Sequence, residues 1–286
     1  MTSQSELAPL RPTSLDELLL LAPDELARVD LALMNLLCAE GLPGSEEMSI
    51  PSILKTLDQW AERVRLETLA YEPRFRRNPA ENFNSEADFR MLTLVTVLER
   101  DLGVRYNPER VRDPDFGSSK DLFIHGLVNS DNGGTCASMP VLNAVIARRL
   151  GYPVRLVQAK AHLFSRWDDP KGERLNIDSA GMGMNTLDDD FYREWPKPVS
   201  DEEVANGDYL KSLSVEEELA VFLAARGHCL FDHGRFEQAL DAYREAAKRM
   251  PTPDYLTFAK RTEEVVAGRL VPVREDGSPI ARSEAK

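Results

Sequence analysis

The chain has 286 residues, 42% of them hydrophobic, which is enough for one large domain or two smaller ones with separate apolar cores. Its formal net charge of -13 repels phosphate backbones and anionic lipids, so neither nucleic acid nor a membrane is an expected partner. The three cysteines are widely spaced, and the chain opens with neither a secretion signal nor a long apolar run. We therefore expect a reduced, cytoplasmic location.

The first hundred residues have the apolar spacing of amphipathic helices. The pattern is clearest through Ile53 to Leu69 and Phe89 to Leu102. Cys38 lies on one of these apolar faces, where a small buried thiol is expected rather than a reactive one. Residues 1 to 104 are therefore predicted to form a helical region packed on the rest of the chain.

A candidate nucleophile follows a long irregular connection. Prolines, glycines and asparagines interrupt the helical pattern between Arg105 and Asn132, and Gly133-Gly134-Thr135-Cys136 comes next. An apolar helical face then begins at Val141. Glycines let the backbone turn sharply, and the N-terminus of a helix stabilises a thiolate through its free N–H groups and its dipole. Cys136 is therefore predicted to be the nucleophile.

The next segment has the pattern of a β-hairpin. His162 to Trp167 is extended in character, turn formers surround Pro170, and Arg174 to Asp178 alternates polar with apolar residues. A turn centred near Pro170 places His162 directly opposite Asp178 on one face of the hairpin. A carboxylate beside an imidazole fixes its tautomer and stabilises its charged form, so these residues are predicted to be the general base and its orienting acid.

The last third of the chain returns to helix, from Glu216 to Phe231 and from Phe236 to Arg249. Its small, aromatic and proline residues resemble one tetratricopeptide unit at Gly227, Ala239, Tyr243, Ala246 and Pro251. One such unit cannot bury its own apolar face. Residues 213 to 270 are therefore predicted to form a helical hairpin that docks on the core or pairs with other helices, and that offers a surface for a protein partner. Residues 271 to 286 are predicted to form a disordered tail.

Other chemistry-bearing side chains are weaker candidates. His125 precedes the nucleophile and either lines the site or has a structural role. Arg166 lies on the same face as His162 and is expected to form an exposed ion pair rather than bind a substrate carboxylate. His228 and Cys229 are expected to be packing and surface residues, because no metal-type cluster stands near them. The sequence implies neither a metal nor an organic cofactor.

The stretch GGTCASMPVLNAVIARRLGYPVRLVQ, followed by AHLFSRW and LNIDS, resembles the transglutaminase-like superfamily, and the flanking helices look like its SirB1-type bacterial branch. The resemblance implies an α+β fold whose papain-like core, residues 105 to 212, packs the nucleophile helix on an antiparallel sheet. It also implies a catalytic triad of Cys136, His162 and Asp178. The tryptophan or glycine-glutamine context usual before the cysteine is not plainly present. By analogy with papain-like enzymes, Asn129 or Asn132 is the candidate for the second oxyanion donor.

Two functions fit these features. The first is an enzyme that takes an acyl group from a peptide or protein amide, or from an ester, as a thioester on Cys136 and passes it to water or an amine. Peptidase or amidase hydrolysis is favoured over amine transfer. The alternative is a non-catalytic scaffold that keeps the fold while the helical repeat binds a peptide. A reactive Cys136 indicates the enzyme, and an inert buried one indicates the scaffold.

Overall fold

The computed structural model of the protein describes residues 8–110, 115–128, 131–170, 172–179, 183–274 and 277–283. It combines α-helices with a three-stranded antiparallel sheet in the order β1-β2-β3. The predicted α+β class is therefore confirmed.

The elements follow one another in the order helices, sheet, helices. The helices before the sheet are α1 Leu15–Leu19, α2 Pro23–Leu26, α3 Leu31–Ala39, α4 Ile50–Arg77, α5 Glu86–Thr96, α6 Ser119–Leu122 and α7 Met139–Arg149. The strands are β1 Val154–Ala159, β2 His162–Asp168 and β3 Arg174–Ile177. The helices after it are α8 Asp189–Glu194, α9 Asp201–Ala205, α10 Val215–Asp232, α11 Phe236–Arg249 and α12 Pro253–Val266.

Helix α3 lies at the centre of the main apolar core. It is apolar along its length and each of its residues is buried, as expected for a helix surrounded by other elements. It packs against α4, α7 and α10, so it joins the N-terminal helices to α7 and to the C-terminal helices. No helix in the described segments is both long and apolar enough to cross a membrane.

Helix α7 packs on the sheet and brings the cysteine to it. The helix contacts β1 and β2 and is buried from Met139 to Ala147. Pro140 stands in the first turn, where the absence of its N–H leaves no helical hydrogen bond unmade. The proline therefore fixes the helix start beyond Cys136.

The β2-β3 hairpin forms with a register that differs from the predicted one by two residues. Ser165 pairs with Ile177, so His162 and Asp178 are diagonal neighbours, and the predicted direct opposition is wrong. The turn is centred beyond Pro170, because the N–H of Asp169 bonds to the carbonyl of Glu173 at 2.9 Å. Side chains alternate with period two, so this shift keeps both residues on one face.

The C-terminal helices form a larger unit than the predicted hairpin. Helices α10 and α11 cross closely at Gly227, where an added Cβ would lie 2.5 Å from the Tyr243 ring. Helix α12 packs on α11 as a third member, which the repeat-like pattern did not include. The C-terminal part of the chain thus presents three packed helices.

The predicted disordered tail is corrected where the structure describes it. Ile280 is 6% exposed and packs with Phe236 and Val265. The N–H of Ser283 donates to the carbonyl of Gly234 at 3.0 Å. One apolar anchor and a few backbone hydrogen bonds therefore hold a segment whose polar composition predicted disorder.

Candidate active site

Cys136 lies on a fixed turn just before α7. The Thr135 carbonyl accepts hydrogen bonds from the N–H groups of Ser138 at 3.2 Å and Met139 at 3.0 Å. The Thr135 hydroxyl donates to the carbonyl of Asp121 at 2.7 Å. The cysteine is partly exposed, whereas the helix that follows it is buried. Cys136 thus lies partly exposed just before Ser138, the N-cap of α7, at the end of the helix where the dipole favours an anion.

The two glycines bring a second segment to this turn. Gly134 donates to the carbonyl of Arg105 and accepts from the N–H of Asn107, both at 2.8 Å, and so forms a parallel bridge with Tyr106. Gly133 has φ of +77°, which favours glycine. A Cβ at Gly134 would lie 2.7 Å from the Met139 sulfur. A Cβ at Gly133 would lie 3.2 Å from the backbone of Asn107, so Gly133 eases the close approach of the segment that carries Tyr106, while Gly134 makes room for Met139.

His162 and Asp178 form a buried hydrogen-bonded pair. Nε2 of His162 donates to Oδ2 of Asp178 at 2.7 Å, and each residue is 6% exposed. Cys136 contributes to the raised pKa of the imidazole, so the cysteine lies near the ring. Because Nε2 is engaged by the carboxylate, Nδ1 is the nitrogen left to exchange a proton with the sulfur. The three residues predicted from the sequence are thus brought together.

The charge of His162 follows from these contacts. Burial lowers its pKa, but the hydrogen bonds to Asp178 and Cys136 and the negative charges of both outweigh burial and raise the pKa to about 9. The imidazole is therefore cationic at neutral pH. A cationic imidazole next to a cysteine is the arrangement that cysteine nucleophiles use.

Tyr192 is a functional residue that the sequence did not reveal. Its hydroxyl donates to Oδ2 of Asp178 at 2.8 Å, and the side chain is fully buried. Its ring stacks on Phe164 with centroids 4.1 Å apart and lies 5.8 Å from the His162 ring. Asp178 thus accepts hydrogen bonds from His162 and Tyr192, which lie on different elements, and these bonds fix the carboxylate beside the imidazole.

The segment that carries Asp178 is tied to the helices on both sides. Asp178 and Asn185 exchange two backbone hydrogen bonds at 2.9 and 2.8 Å. Ser179 accepts from the buried amide of Asn143 on α7 at 2.8 Å. The N–H of Gly183 donates to the Glu99 carboxylate, which lies in a π-helical turn after α5. The acid and the nucleophile helix are therefore mechanically linked.

Arg166 was predicted to form an exposed ion pair, and this is wrong. Its side chain is fully buried, pairs with Asp189 and donates to the Asn176 amide oxygen at 2.6 Å and to the Leu210 carbonyl at 3.0 Å. Burial lowers its pKa to about 10, while the charge of Asp189 opposes that shift. Asp189 is the first residue of α8, the helix that carries Tyr192. The ion pair therefore holds α8 against the sheet.

Of the two predicted oxyanion donors, Asn129 and Asn132, the structure describes only Asn132. The Asn132 amide donates to Oδ1 of Asp121 at 2.8 Å and to the carbonyl of Gly133 at 3.0 Å. Both of its N–H groups are engaged in holding the loop, so the predicted role for Asn132 is not supported by its geometry. Asn129 lies outside the described residues.

Tyr106 lies beside Cys136, because its backbone pairs with Gly134. The cysteine also influences the pKa of the Tyr106 hydroxyl. The side chain is buried, and burial, followed by the charge of Cys136, raises its pKa. The hydroxyl therefore keeps its proton at neutral pH and can donate it in a hydrogen bond.

The remaining candidates lie outside this cluster. His125 is buried with Nε2 3.1 Å from the Ser119 hydroxyl, and burial lowers its pKa to about 4. Nδ1 of His228 is hydrogen bonded to the Tyr243 hydroxyl at 2.7 Å. Cys38 and Cys229 are buried, and burial raises the pKa of each to about 12. No metal-type group of three or more His, Cys, Asp or Glu side chains occurs among the described residues.

The raised pKa of His162 predicts a pH-dependent stability. The ordinary value is 6.5 and the folded value about 9, so the contribution of His162 is complete below pH 6.5 and lost as the pH rises through about 9. We expect the free energy of unfolding from denaturant titrations to fall across this interval. A His162→Gln variant should show a smaller fall, and an identical fall would contradict the pairing.

The arrangement joins a thiol, a cationic imidazole and an orienting carboxylate, which can together perform covalent catalysis on a carbonyl. Comparison of the chain with protein-family models, curated proteins and solved structures finds no match. The geometry and chemistry of the site are therefore the basis for assigning a function.

Proposed function

We propose that the protein is a cysteine acyl-transfer enzyme that works through a thioester on Cys136, with hydrolysis of a peptide or other amide as its main reaction. The observation that carries the proposal is the buried His162–Asp178 pair, whose second ring nitrogen is left for the Cys136 sulfur. We place the chain in the SirB1-type branch of the transglutaminase-like superfamily, with a papain-like core. The order of the three residues along the chain and the packing of α7 on an antiparallel sheet support this placement.

In the first step the Cys136 thiolate attacks the carbonyl carbon of the substrate, and the carbonyl electron pair moves onto oxygen. The oxyanion then collapses, the carbon–nitrogen bond breaks, and the His162 imidazolium gives its Nδ1 proton to the leaving nitrogen. The products are a free amine and a thioester. Asp178 stays ionised and holds the ring through Nε2.

In the second step His162 acts as a base. Nδ1 takes a proton from water as the water oxygen attacks the thioester carbon. The second oxyanion collapses and expels the Cys136 thiolate, which restores the thiolate–imidazolium pair and releases a carboxylic acid. An amine in place of water would give a new amide by the same sequence.

The oxyanion requires donors next to the sulfur. The N–H of Cys136 supplies one, and the Tyr106 hydroxyl is assigned as the other because it lies beside the cysteine and keeps its proton at neutral pH. An oxyanion forms only during acyl transfer, so a donor that binds it contributes in the transition state rather than in the free enzyme.

Selective alkylation tests the nucleophile. Iodoacetamide at pH 6.5 should modify Cys136 at least about tenfold faster than Cys38 or Cys229, because the imidazolium favours one thiolate while burial disfavours the other two. Peptide mass spectrometry after short labelling times gives the three rates. A Cys136→Ala variant should lose the fast phase. Equal rates for all three cysteines would favour the scaffold instead.

A further inference from the structure

Three exposed apolar side chains follow one another from Leu187 to Trp195. Leu187 is 37%, Phe191 39% and Trp195 42% exposed, and they are spaced four residues apart. Phe191 and Trp195 pack together with ring centroids 5.6 Å apart. We call these three residues the α8 stripe, since they lie on and next to that helix.

The α8 stripe begins at the catalytic imidazole. The Trp195 ring meets the His162 ring edge-on, with centroids 4.8 Å apart. Side chains on the same helix fix its position, because Tyr192 bonds to Asp178 and Asp189 pairs with buried Arg166. The aromatic surface is therefore held in place next to the group that transfers protons.

The position of the α8 stripe beside the imidazole determines which part of the substrate can contact it. His162 gives its proton to the leaving nitrogen in the first step, so that nitrogen must come within hydrogen-bond distance of the imidazole. A substituent on the nitrogen then lies on the imidazole side of the cysteine, where the α8 stripe offers apolar surface. The acyl group, by contrast, remains on the sulfur.

We propose that the α8 stripe binds an aromatic or large aliphatic group on the leaving amine of the substrate, or on an amine that accepts the acyl group. In a peptide this is the side chain that follows the scissile bond. Exposed Asp190 and Glu194 flank the stripe, so a substituent that also carries positive charge is favoured over an acidic one. The inference rests on the proposed thioester chemistry.

Amine partitioning tests the stripe. Reaction with p-nitrophenyl acetate forms the acetyl-enzyme. Its acetyl group is then transferred either to water or to an added amine, which is phenethylamine in one experiment and ethylamine in the other. The N-acetyl products are measured by chromatography. Burial of a phenyl ring should strengthen binding of the amine at least about tenfold. The ratio of N-acetyl amine to hydrolysis product should therefore be about tenfold or more higher with phenethylamine than with ethylamine. Trp195→Ala and Phe191→Ala should each reduce that ratio several-fold.

A matched variant controls for the loss of an exposed aromatic ring. Phe83, between α4 and α5, is 82% exposed, so Phe83→Ala should keep the wild-type ratio. Because Trp195 contacts the His162 ring, Trp195→Ala can change proton transfer directly. Phe191→Ala removes part of the stripe and leaves that contact in place. Failure to form an acetyl-enzyme on Cys136 overturns the proposed function and the stripe with it. An acetyl-enzyme with no amine preference, or with a preference that survives both stripe variants, overturns the stripe alone.

Discussion

Replacing His162 by alanine is expected to lower the rate of acyl transfer about 10³-fold or more. The imidazole stabilises the Cys136 thiolate and also transfers the proton in both steps, so a single substitution removes two functions. The measurement is the initial rate of p-nitrophenolate release from p-nitrophenyl acetate, together with the stoichiometry of acetylation on Cys136. Iodoacetamide labelling of Cys136 should slow as well, because its thiolate loses the neighbouring cation.

Two further variants separate these effects. His233 is exposed and bonds to the Gly117 carbonyl, so His233→Ala is a control for the loss of an imidazole elsewhere. Asp178→Asn should reduce turnover more than labelling, since the carboxylate holds the ring rather than touching the substrate. Wild-type activity in His162→Ala would remove the histidine from the mechanism.

The sequence was sufficient to predict that Cys136, His162 and Asp178 lie near one another, because each lies on a strong local pattern. Glycines before an apolar helix mark Cys136, and a hairpin with alternating residues carries His162 and Asp178. The predicted register was wrong by two residues, yet the period of a strand kept both side chains on one face. Local periodicity is therefore a better guide to the face of a residue than to its direct neighbour.

The contacts that complete the site depend on tertiary packing. Tyr106 reaches Cys136 through a parallel bridge to Gly134, and Tyr192 reaches Asp178 from a short helix beyond the sheet. Neither tyrosine belongs to a repeat or motif, so no spacing marks it. Arg166 was expected at the surface because arginine is usually solvated, but Asp189, the Asn176 amide oxygen and the Leu210 carbonyl make its burial possible.

The strongest test of the assigned oxyanion donor is Tyr106→Phe, which removes one hydroxyl and keeps the ring. We expect acetylation of Cys136 by p-nitrophenyl acetate to slow about 10²-fold, the usual cost of losing one oxyanion donor. Alkylation by iodoacetamide should change less than about threefold. In alkylation the sulfur displaces iodide from a CH₂ group and no oxyanion forms, so the two reagents separate oxyanion stabilisation from thiolate formation.

A matched substitution excludes a general effect of losing a buried tyrosine hydroxyl. Tyr152 is as buried as Tyr106, follows the far end of α7 and accepts a hydrogen bond from Arg90 at 3.3 Å. Tyr152→Phe should leave both rates near those of the wild type. If Tyr106→Phe slows alkylation and acetylation equally, the hydroxyl acts on the thiolate alone. If acetylation becomes faster, Tyr106 blocks the oxyanion position in the free protein and substrate must displace it.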